Sequence, residues 1–370
     1  MAAPQALLTG FSATAPRYHM EQADSLTWLA RGHAAAARLA PDERVSFANR
    51  LQRAISRCAC PPSKIARRGI SFDPAAAWDG HPLYPLRAQP HGAGTATRTA
   101  WFGQIVDAYF AQAYADRHEA PDELIHVTCT GYLSPSGAQK LVAAKRWPTR
   151  VTHAYQMGCY AAIPAVRIAA AALASSARVE LVHTELCSLH FDPTDHSLEQ
   201  LVVQSLFADG LIRYAAVADD GGPGLCVLAL HEQVVPDSAG AMTWVVADHG
   251  MRMTLARDVP ERIAGALRGF VIELVRRAGV PVTAIAGCPV AVHPGGPKII
   301  DRVRDVLELD EAQVQTSRDV LHDHGNMSSA TLPHIWMRML ADPAIPRGTL
   351  IPSLSFGPGL TMCGALLEKR

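Results

Sequence analysis

The chain has 370 residues, with 34 basic and 34 acidic side chains, and 49% of its residues are hydrophobic. At about 100–200 residues per domain, this length predicts two domains or one large two-part core. The ordinary apolar fraction excludes wholesale disorder. A formal net charge of zero argues against nucleic acid or an anionic membrane as the main partner, because either would favour a basic excess.

The N-terminal segment and the cysteines indicate a cytoplasmic protein. Residues 1–11 lack the basic region and the long apolar stretch of a secretory signal. The most apolar segment, 160–174, is too short for a membrane span and contains Pro164 and Arg167, so we expect a buried helix there. Eight cysteines are too sparse for a disulfide framework, which predicts reduced thiols. Cys58 and Cys60 have no second pair at zinc spacing, so we expect no metal site.

Short apolar runs alternate with helical patterns along the chain, which predicts an α/β fold. In chain order we predict helices at 24–39 and 42–56, a surface loop or lid at 72–94, a helix at 99–115, a strand at 124–129, the helix at 160–174, strands at 179–184 and 225–230, a helix at 260–278, a strand at 286–293, a helix at 327–340 and a strand at 350–356. Similar strand–turn–helix segments recur around 124–175 and 286–340. The Gly-rich stretch 219–224 therefore predicts a boundary between an N-terminal half, 1–222, and a C-terminal half, 223–370.

Cys159 is the first candidate functional residue. Gly158 permits a sharp turn, and Pro164 fits only in the first turn of the Ala-rich helix that follows. The sulfur is therefore expected at a helix N-terminus, where the helix dipole would depress the thiol pKa and produce a nucleophile. The alternative is an ordinary buried cysteine.

His293 and Asn326 are two further candidates, each at the end of a predicted element. His293 closes an apolar run and opens the turn HPGGP, where it could project into a cleft or only pack. Asn326 lies in the turn HGNMSSA before a helix, where its amide could bind a substrate oxygen or serve as a helix cap. Cys159 in the first half would thus be accompanied by His293 and Asn326 from the second.

Four ordered motifs resemble the type III polyketide synthase (chalcone synthase-like) family: GCY at 158–160, HPGGPKIID at 293–301, GNMSSA at 325–330 and FGPGLT at 356–361. The segments QSLFADG at 204–210 and RDVP at 257–260 are similar to further blocks of the family. The resemblance implies a thiolase fold of two similar halves in αβαβα layers, in a homodimer. It implies Cys159 as the nucleophile that accepts the acyl starter, with His293 and Asn326 holding the malonyl-CoA thioester and stabilising the enolate as CO2 leaves.

The resemblance also implies a set of residues around the substrate. Phe207 matches the aromatic gatekeeper of the family, and Met253 stands where a second gatekeeping Phe is expected. The implied cavity and binding-loop positions are Cys129, Cys187, His190, Gly357, Pro358 and Gly359. A basic cluster for the CoA phosphates is only partly kept, with Arg57 and Lys64 as the expected contacts beside Arg67 and Arg68, and with Pro61 and Pro62 interrupting it.

The segment HTELCSLHF at 183–191 is similar to bacterial members that make alkylpyrones or alkylresorcinols. We therefore expect an acyl starter, delivered on CoA or on an acyl carrier protein, extension by malonyl-CoA, and no cofactor beyond these thioesters. Two alternatives remain at this point: a ketoacyl-ACP synthase III-like enzyme that performs one condensation, and a non-enzymatic thiolase-fold protein that only binds acyl groups.

Overall fold

A computed structural model describes residues 5–370. Its strands are β1 (Ala6–Thr14), β2 (Tyr18–Glu21), β3 (Arg67–Ile70), β4 (Glu123–Thr128), β5 (Arg150–Tyr155), β6 (Arg178–Leu186), β7 (Asp209–Ala218), β8 (Leu225–Val234), β9 (Met242–Ala247), β10 (Gly250–Leu255), β11 (Ala291–Val292), β12 (Leu350–Gly357) and β13 (Thr361–Lys369). Its helices are α1 (Gln22–Ala36), α2 (Pro41–Cys58), α3 (Thr95–Ala113), α4 (Gly137–Lys145), α5 (Ala162–Ala172), α6 (Leu198–Leu206), α7 (Val259–Arg277), α8 (Pro297–Leu307), α9 (Glu311–His324) and α10 (Thr331–Ala341).

One mixed sheet of nine strands organises the molecule, in the order β11-β12-β13-β8-β1-β7-β6-β4-β5. One face packs on α5 and α10. The opposite face packs on α1 and α3 at one end and on α7, α8 and α9 at the other. The N-terminal strand β1 lies between β7 and β8. The predicted boundary 219–224 falls in the turn between these two strands, and the division into halves at that turn stays a prediction.

Most of the predicted elements are confirmed, and one strand is wrong in extent. The strands predicted at 124–129, 179–184, 225–230 and 350–356 all form, because their apolar runs are buried on both faces of the sheet. Of the run 286–293, only Ala291–Val292 is a strand, paired in parallel with β12. Gly287 has a φ of 74°, and Pro289 has no N–H to give to a ladder, so the apolar run begins as irregular chain.

The segment 72–94, which its composition predicts to be a surface loop or lid, lies only partly at the surface. Phe72, Leu83, Tyr84 and Leu86 are buried in the core that α1 and α3 share. The Tyr84 hydroxyl donates to the Ser188 carbonyl oxygen at 2.5 Å, which ties the segment to the turn after β6. Its large apolar side chains outweigh the turn-forming residues between them, so the segment is irregular in backbone but part of the core.

The carboxyl ends of the parallel strands position the predicted functional residues. The strands β4, β5 and β6 run parallel and are followed by Cys129, the Cys159 turn and Cys187, in that order. At the other end of the sheet β11 and β12 run parallel and are followed by His293 and Pro358. Open α/β sheets bind ligands at such strand ends. Across residues 5–370, no helix combines the length and apolar character needed to cross a bilayer.

Buried neutral histidines make the fold sensitive to acid. Burial lowers the pKa of His126, His183 and His293 to about 3, and that of His33 and His334 to about 4. Above the unfolded pKa of about 6.5 neither state is protonated, so these groups do not affect stability. As the pH falls below that value, the unfolded chain takes up protons that the folded chain excludes. Each such group then costs about 1.4 kcal/mol per pH unit.

We therefore expect the thermal unfolding midpoint to fall steeply between about pH 6.5 and pH 5, as measured by circular dichroism at a series of pH values. Carboxylates with a lowered pKa, such as Asp122, titrate below this pH range, so they do not contribute to the change in the unfolding midpoint. A midpoint that stays constant across the window would contradict the neutral buried imidazoles.

Candidate active site

Cys159 lies in a single 3-10 turn, Gly158–Tyr160, directly before α5. Gly158 has a φ of 74°, which glycine adopts without steric cost, and a Cβ there would lie 2.7 Å from Pro358 Cδ. A Cβ on Gly357 would likewise lie 2.5 Å from the Tyr160 ring. The two glycines therefore allow the turn that carries the sulfur to pack directly against the FGPGLT segment.

The backbone of Asn326 is fixed to the segment that contains Phe207. The Asn326 N–H donates to the Leu206 carbonyl at 2.9 Å, and the Ala208 N–H donates to the Asn326 carbonyl at 2.8 Å. The side-chain Oδ1 accepts from the Ser328 N–H at 2.9 Å, and Nδ2 lies 3.5 Å from the Gly295 carbonyl oxygen. The amide is thus oriented through its oxygen, while its N–H group is only weakly engaged within the protein.

His293 follows β11 and is held by its backbone, whose N–H donates to the Leu354 carbonyl at 2.8 Å. The side chain is 1% exposed, yet neither ring nitrogen has a hydrogen-bond partner among the residues that the structure describes. Buried polar groups are nearly always paired, so an unpaired one calls for an explanation. A buried imidazole with both nitrogens free is suited to bind a polar group of a substrate.

The electrostatics of Cys159 differ from the sequence-based expectation. Burial raises the pKa of the Cys159 thiol to about 12, the negative Glu185 adds to the rise, and hydrogen bonds from Ser328 and Asn326 oppose it. Burial also lowers the pKa of His293 to about 3. The expectation of a depressed thiol pKa is therefore wrong, because desolvation outweighs the helix dipole. A neutral thiol and a neutral imidazole are the stable pair, and a thiolate has to form by proton transfer.

The sulfur of Cys159 faces a small cavity of about 10 Å³. Six of the predicted site residues line it together: Cys129, Cys159, Cys187, Phe207, Met253 and Pro358. A larger apolar cavity of about 80 Å³ adjoins it, and Cys187, Phe207 and Met253 line both spaces. The predicted His190 lines the larger one. The structure thus brings residues from distant motifs around one sulfur.

Comparison with known proteins identifies the family. A profile of the chalcone and stilbene synthases, C-terminal domain, matches residues 227–369. Type III polyketide synthase C of Arabidopsis thaliana is 30% identical over 258 residues, which cover 66% of this chain and 67% of that protein. The chain belongs to the type III polyketide synthase family.

Other relatives agree with this assignment. The 1,3,6,8-tetrahydroxynaphthalene synthase of Streptomyces griseus is 29% identical over 76% of this chain and 74% of its own length. Probable polyketide synthase 1 of Dictyostelium discoideum is 31% identical over 66% of this chain, and the match spans only 8% of that long protein. Membership makes this synthase an acyltransferase of the malonyl-CoA-dependent condensing class.

Solved structures confirm the thiolase fold. The C-terminal type III polyketide synthase domain of Steely1 from Dictyostelium superposes with a TM-score of 0.83 at 23% identity, over 99% of each chain. A polyketide synthase of the brown alga Ectocarpus siliculosus superposes with a TM-score of 0.85 at 21% identity, over 100% of each chain.

Arg68 contacts the end of α6, next to the predicted gatekeeper Phe207. Arg68 was grouped with the basic residues for CoA phosphates, but it is buried and points inward. Its guanidinium donates to the carbonyl oxygens of Gln204 at 2.8 Å and Phe207 at 2.7 Å. The predicted phosphate role of Arg68 is therefore wrong, and the residue instead holds the end of α6, where Phe207 stands.

Arg57 and Lys64 occupy a different part of the surface. Arg57 is in the last turn of α2, Lys64 is in the turn that follows, and both side chains are exposed. Neither lines the cavities beside Cys159. Their contact with CoA stays a prediction.

His190 and the loop glycines have clear structural functions. The His190 Nδ1 accepts from the Met251 N–H at 3.1 Å, so its Nε2 carries the proton and donates to the Thr130 carbonyl at 2.8 Å. The ring therefore anchors β10 to the wall of the site. Gly359 accepts from the Ser238 hydroxyl at 3.1 Å through its carbonyl oxygen. Gly357 and Gly359 flank Pro358, but neither glycine lines the cavities beside Cys159.

Sequence reasoning missed three residues of this site. Trp244 lines both cavities and donates from Nε1 to the Cys129 carbonyl oxygen at 2.6 Å. Ser328 lies against the Cys159 sulfur, and Glu185 is buried beside Cys129. The sequence does contain a signal for Glu185, because a carboxylate next to a run that is predicted to be a buried strand needs dedicated partners. No motif marks Trp244.

Proposed function

We propose that this synthase loads an acyl starter on Cys159 and extends it by decarboxylative Claisen condensation with malonyl-CoA. The observation that carries the proposal is the surroundings of the Cys159 sulfur. Ser328 Oγ lies 3.8 Å from it, and the Asn326 amide is directed to it. His293, the third residue of the proposed set, is buried and has both ring nitrogens unpaired among the described residues. A nucleophile, a proton acceptor and polar donors are the groups that acyl transfer requires.

Loading exchanges one thioester for another. The Cys159 S–H bond breaks, its proton passes to His293, and the sulfur forms a bond with the acyl carbon of the starter. The bond from that carbon to the CoA or carrier sulfur breaks, and the departing thiolate takes the proton from His293. Because burial keeps both Cys159 and His293 neutral before reaction, the transfer starts from a thiol and ends with a thiol.

Extension needs stabilisation of an enolate. Malonyl-CoA loses CO2, and the electron pair of the broken C–C bond moves to the thioester oxygen. The resulting carbon nucleophile forms a C–C bond with the acyl carbon on Cys159, the bond from that carbon to the Cys159 sulfur breaks, and the thiolate takes a proton from solvent, which restores the thiol. Neutral donors from His293 and Asn326 suit an oxygen that gains negative charge, and they act strongly in a site shielded from water. Both side chains are 1% exposed.

The lining of the larger cavity supports an alkyl starter and an alkylpyrone- or alkylresorcinol-type product. Most of its lining is apolar, with Met20, Trp28, Leu29, Ile70, Phe72, Phe191, Val203 and Met251. Methionine adapts its shape readily, so Met253 at the gate can give room to a flexible chain. The reaction needs no cofactor beyond the CoA thioesters, and Arg57 and Lys64 would meet the phosphates of CoA.

Incubation with a panel of acyl-CoAs of increasing chain length plus malonyl-CoA, with masses of the products, tests this function. We expect cyclised products that contain two or more malonyl-derived units, at highest rate with alkyl starters. Products with a single added unit would instead favour a ketoacyl-ACP synthase III-like reaction. An absence of labelled CO2 release from malonyl-CoA with every starter would refute condensation.

A homodimer in the cytoplasm fits the exposed edge of the sheet. The edge strand β5 pairs with β4 on one side only, and its outer backbone groups can pair with the same strand of a second copy. All eight cysteines are free thiols, in keeping with a reducing compartment. Light scattering of the purified chain should give twice the 39.7 kDa mass.

A further inference from the structure

A buried chain of four polar side chains leads away from the cavity, and the proposed condensation uses none of them. The Tyr214 hydroxyl lies 3.2 Å from His183 Nε2, and His183 Nδ1 lies 3.1 Å from Ser329 Oγ. Ser329 in turn donates to Glu185 Oε1. All four side chains are 0% exposed. A polar chain buried this deeply persists only when each member has partners.

The second oxygen of Glu185 faces the site. Glu185 Oε2 accepts from the Cys129 N–H at 3.1 Å and the Thr130 hydroxyl at 2.9 Å, and it lies 3.4 Å from the Cys129 sulfur. The Ser328 hydroxyl oxygen is 3.1 Å from the Cys129 sulfur and 3.8 Å from the Cys159 sulfur. One thiol and one hydroxyl therefore separate the carboxylate from the nucleophile.

The proton positions along this chain follow from the hydrogen-bond inventory. Burial lowers the pKa of His183 to about 3, so the imidazole is neutral and has one N–H group. Ser329 has one proton, which it gives to Glu185, so His183 has to donate from Nδ1 to Ser329. His183 Nε2 is then a bare acceptor, and the Tyr214 hydroxyl donates to it. Burial raises the pKa of Glu185, and the hydrogen bonds that it accepts from Ser329, the Cys129 N–H and Thr130 oppose this rise. Every donor in the chain points toward Glu185, so the chain favours the negative charge on that carboxylate.

We propose that His183, held in one tautomer by Tyr214, is a positioning residue that favours the anionic form of Glu185 and thereby lowers the acidity of the Cys159 thiol. The anion opposes a second negative charge nearby, so it keeps the thiol protonated until a substrate arrives. The inference rests on the proposed function only in taking Cys159 as the nucleophile.

Several other titratable groups face this chain. Those around Glu185 are Cys129, Cys159, Cys187 and Tyr132. Those around His183 are Tyr214, His126 and His334. Burial raises the pKa of every one of these thiols and of both tyrosines, and it lowers the pKa of both of these histidines. They are therefore neutral near pH 7, which leaves Glu185 as the charge in this group that can change.

The rate of Cys159 alkylation by iodoacetamide, followed by peptide mass spectrometry across a pH series, measures the effect without any condensation. His183→Leu removes the donor to Ser329, so Glu185 is neutral up to higher pH and Cys159 reacts faster. We expect an increase of about three- to tenfold at fixed pH, since one pKa unit changes the thiolate fraction tenfold. Tyr214→Phe frees the other tautomer of His183 and should give a smaller increase. Glu185→Gln removes the charge and should give the largest.

A double-mutant cycle distinguishes the positioning role of His183 from a purely structural role. If His183 acts through Glu185, then His183→Leu has no further effect in the Glu185→Gln background. The proposal is wrong if His183→Leu still changes the rate of Cys159 alkylation in that background. It is also wrong if the pH profile of alkylation is unchanged in both His183→Leu and Tyr214→Phe. Tyr109→Phe is the matched control, because the buried Tyr109 hydroxyl has no partner in the described chain. Labelled CO2 release by the unaltered protein, measured in parallel, shows whether the proposed function itself fails.

Discussion

Replacing Cys159 by alanine is expected to abolish acyl loading and, with it, all polyketide formation. The sulfur is the only atom of that side chain that can form the thioester. Burial and the charge of Glu185 raise the pKa of Cys159 and of the neighbouring Cys129 and Cys187 alike, but hydrogen bonds from both Ser328 and Asn326 oppose the rise at Cys159. We therefore do not expect the neighbouring thiols to replace it. Intact-mass analysis after incubation with an acyl-CoA should show one acyl group on the unaltered chain and none on Cys159→Ala.

A matched control is available in the same sheet. Cys226 is buried in β8 and does not line the cavities beside Cys159. Cys226→Ala should therefore load acyl groups at the normal rate. A stable thioester on Cys159→Ala would show that the nucleophile has been assigned to the wrong residue.

The second large effect is expected for Asn326→Asp, which keeps the size of the side chain and the acceptor for the Ser328 N–H. It removes the amide donor and places a carboxylate where the enolate oxygen forms. We expect release of CO2 from malonyl-CoA to fall by about 10²- to 10³-fold, the usual cost of losing one such donor. Acyl loading on Cys159 should stay within a few-fold of normal, because that step does not pass through the enolate.

Asn49→Asp makes the same chemical change on the exposed surface of α2 and should leave both steps unchanged. His293→Ala should reduce both loading and CO2 release, because His293 serves as proton acceptor in the first step and as donor in the second. If Asn326→Asp loses loading and decarboxylation in equal proportion, then its amide is not specific to the enolate.

The sequence predicted those parts of the fold that depend on continuous burial. The strands β4, β6, β8 and β12 were found because both of their faces are buried. The sequence does not predict the edge strand β5, because polar residues interrupt its apolar pattern and only one of its six residues is buried. The apolar run 286–293 predicts a strand that is too long, because hydrophobicity alone does not show that Gly287 and Pro289 prevent pairing with a neighbouring strand. The turn-forming residues of the segment 72–94 predict a surface position, although its aromatic and aliphatic side chains hold part of it in the core.

At the site, motifs located the reactive groups but not their energetics. Short motifs indicate the candidates Cys159, His293 and Asn326. The family resemblance adds the cavity positions Cys129, Cys187, Phe207 and Met253. The predicted direction of the Cys159 pKa shift is wrong. Desolvation depends on how many atoms surround the thiol in the fold, and the local sequence does not encode this number. Arg68 was misassigned for a related reason, since its neighbour Arg67 is exposed while Arg68 itself is buried.

The central position of β1 has a consequence for biosynthesis. This strand is synthesised well before its partners β7 and β8, which begin about 200 residues later in the chain. At roughly 5–20 residues per second of translation, the strand waits about 10–40 s before either neighbour exists. During that interval its apolar residues and unpaired backbone are accessible to other nascent chains. The middle of the sheet is thus completed late, and chaperone protection matters most while the segment between β1 and β8 is being made.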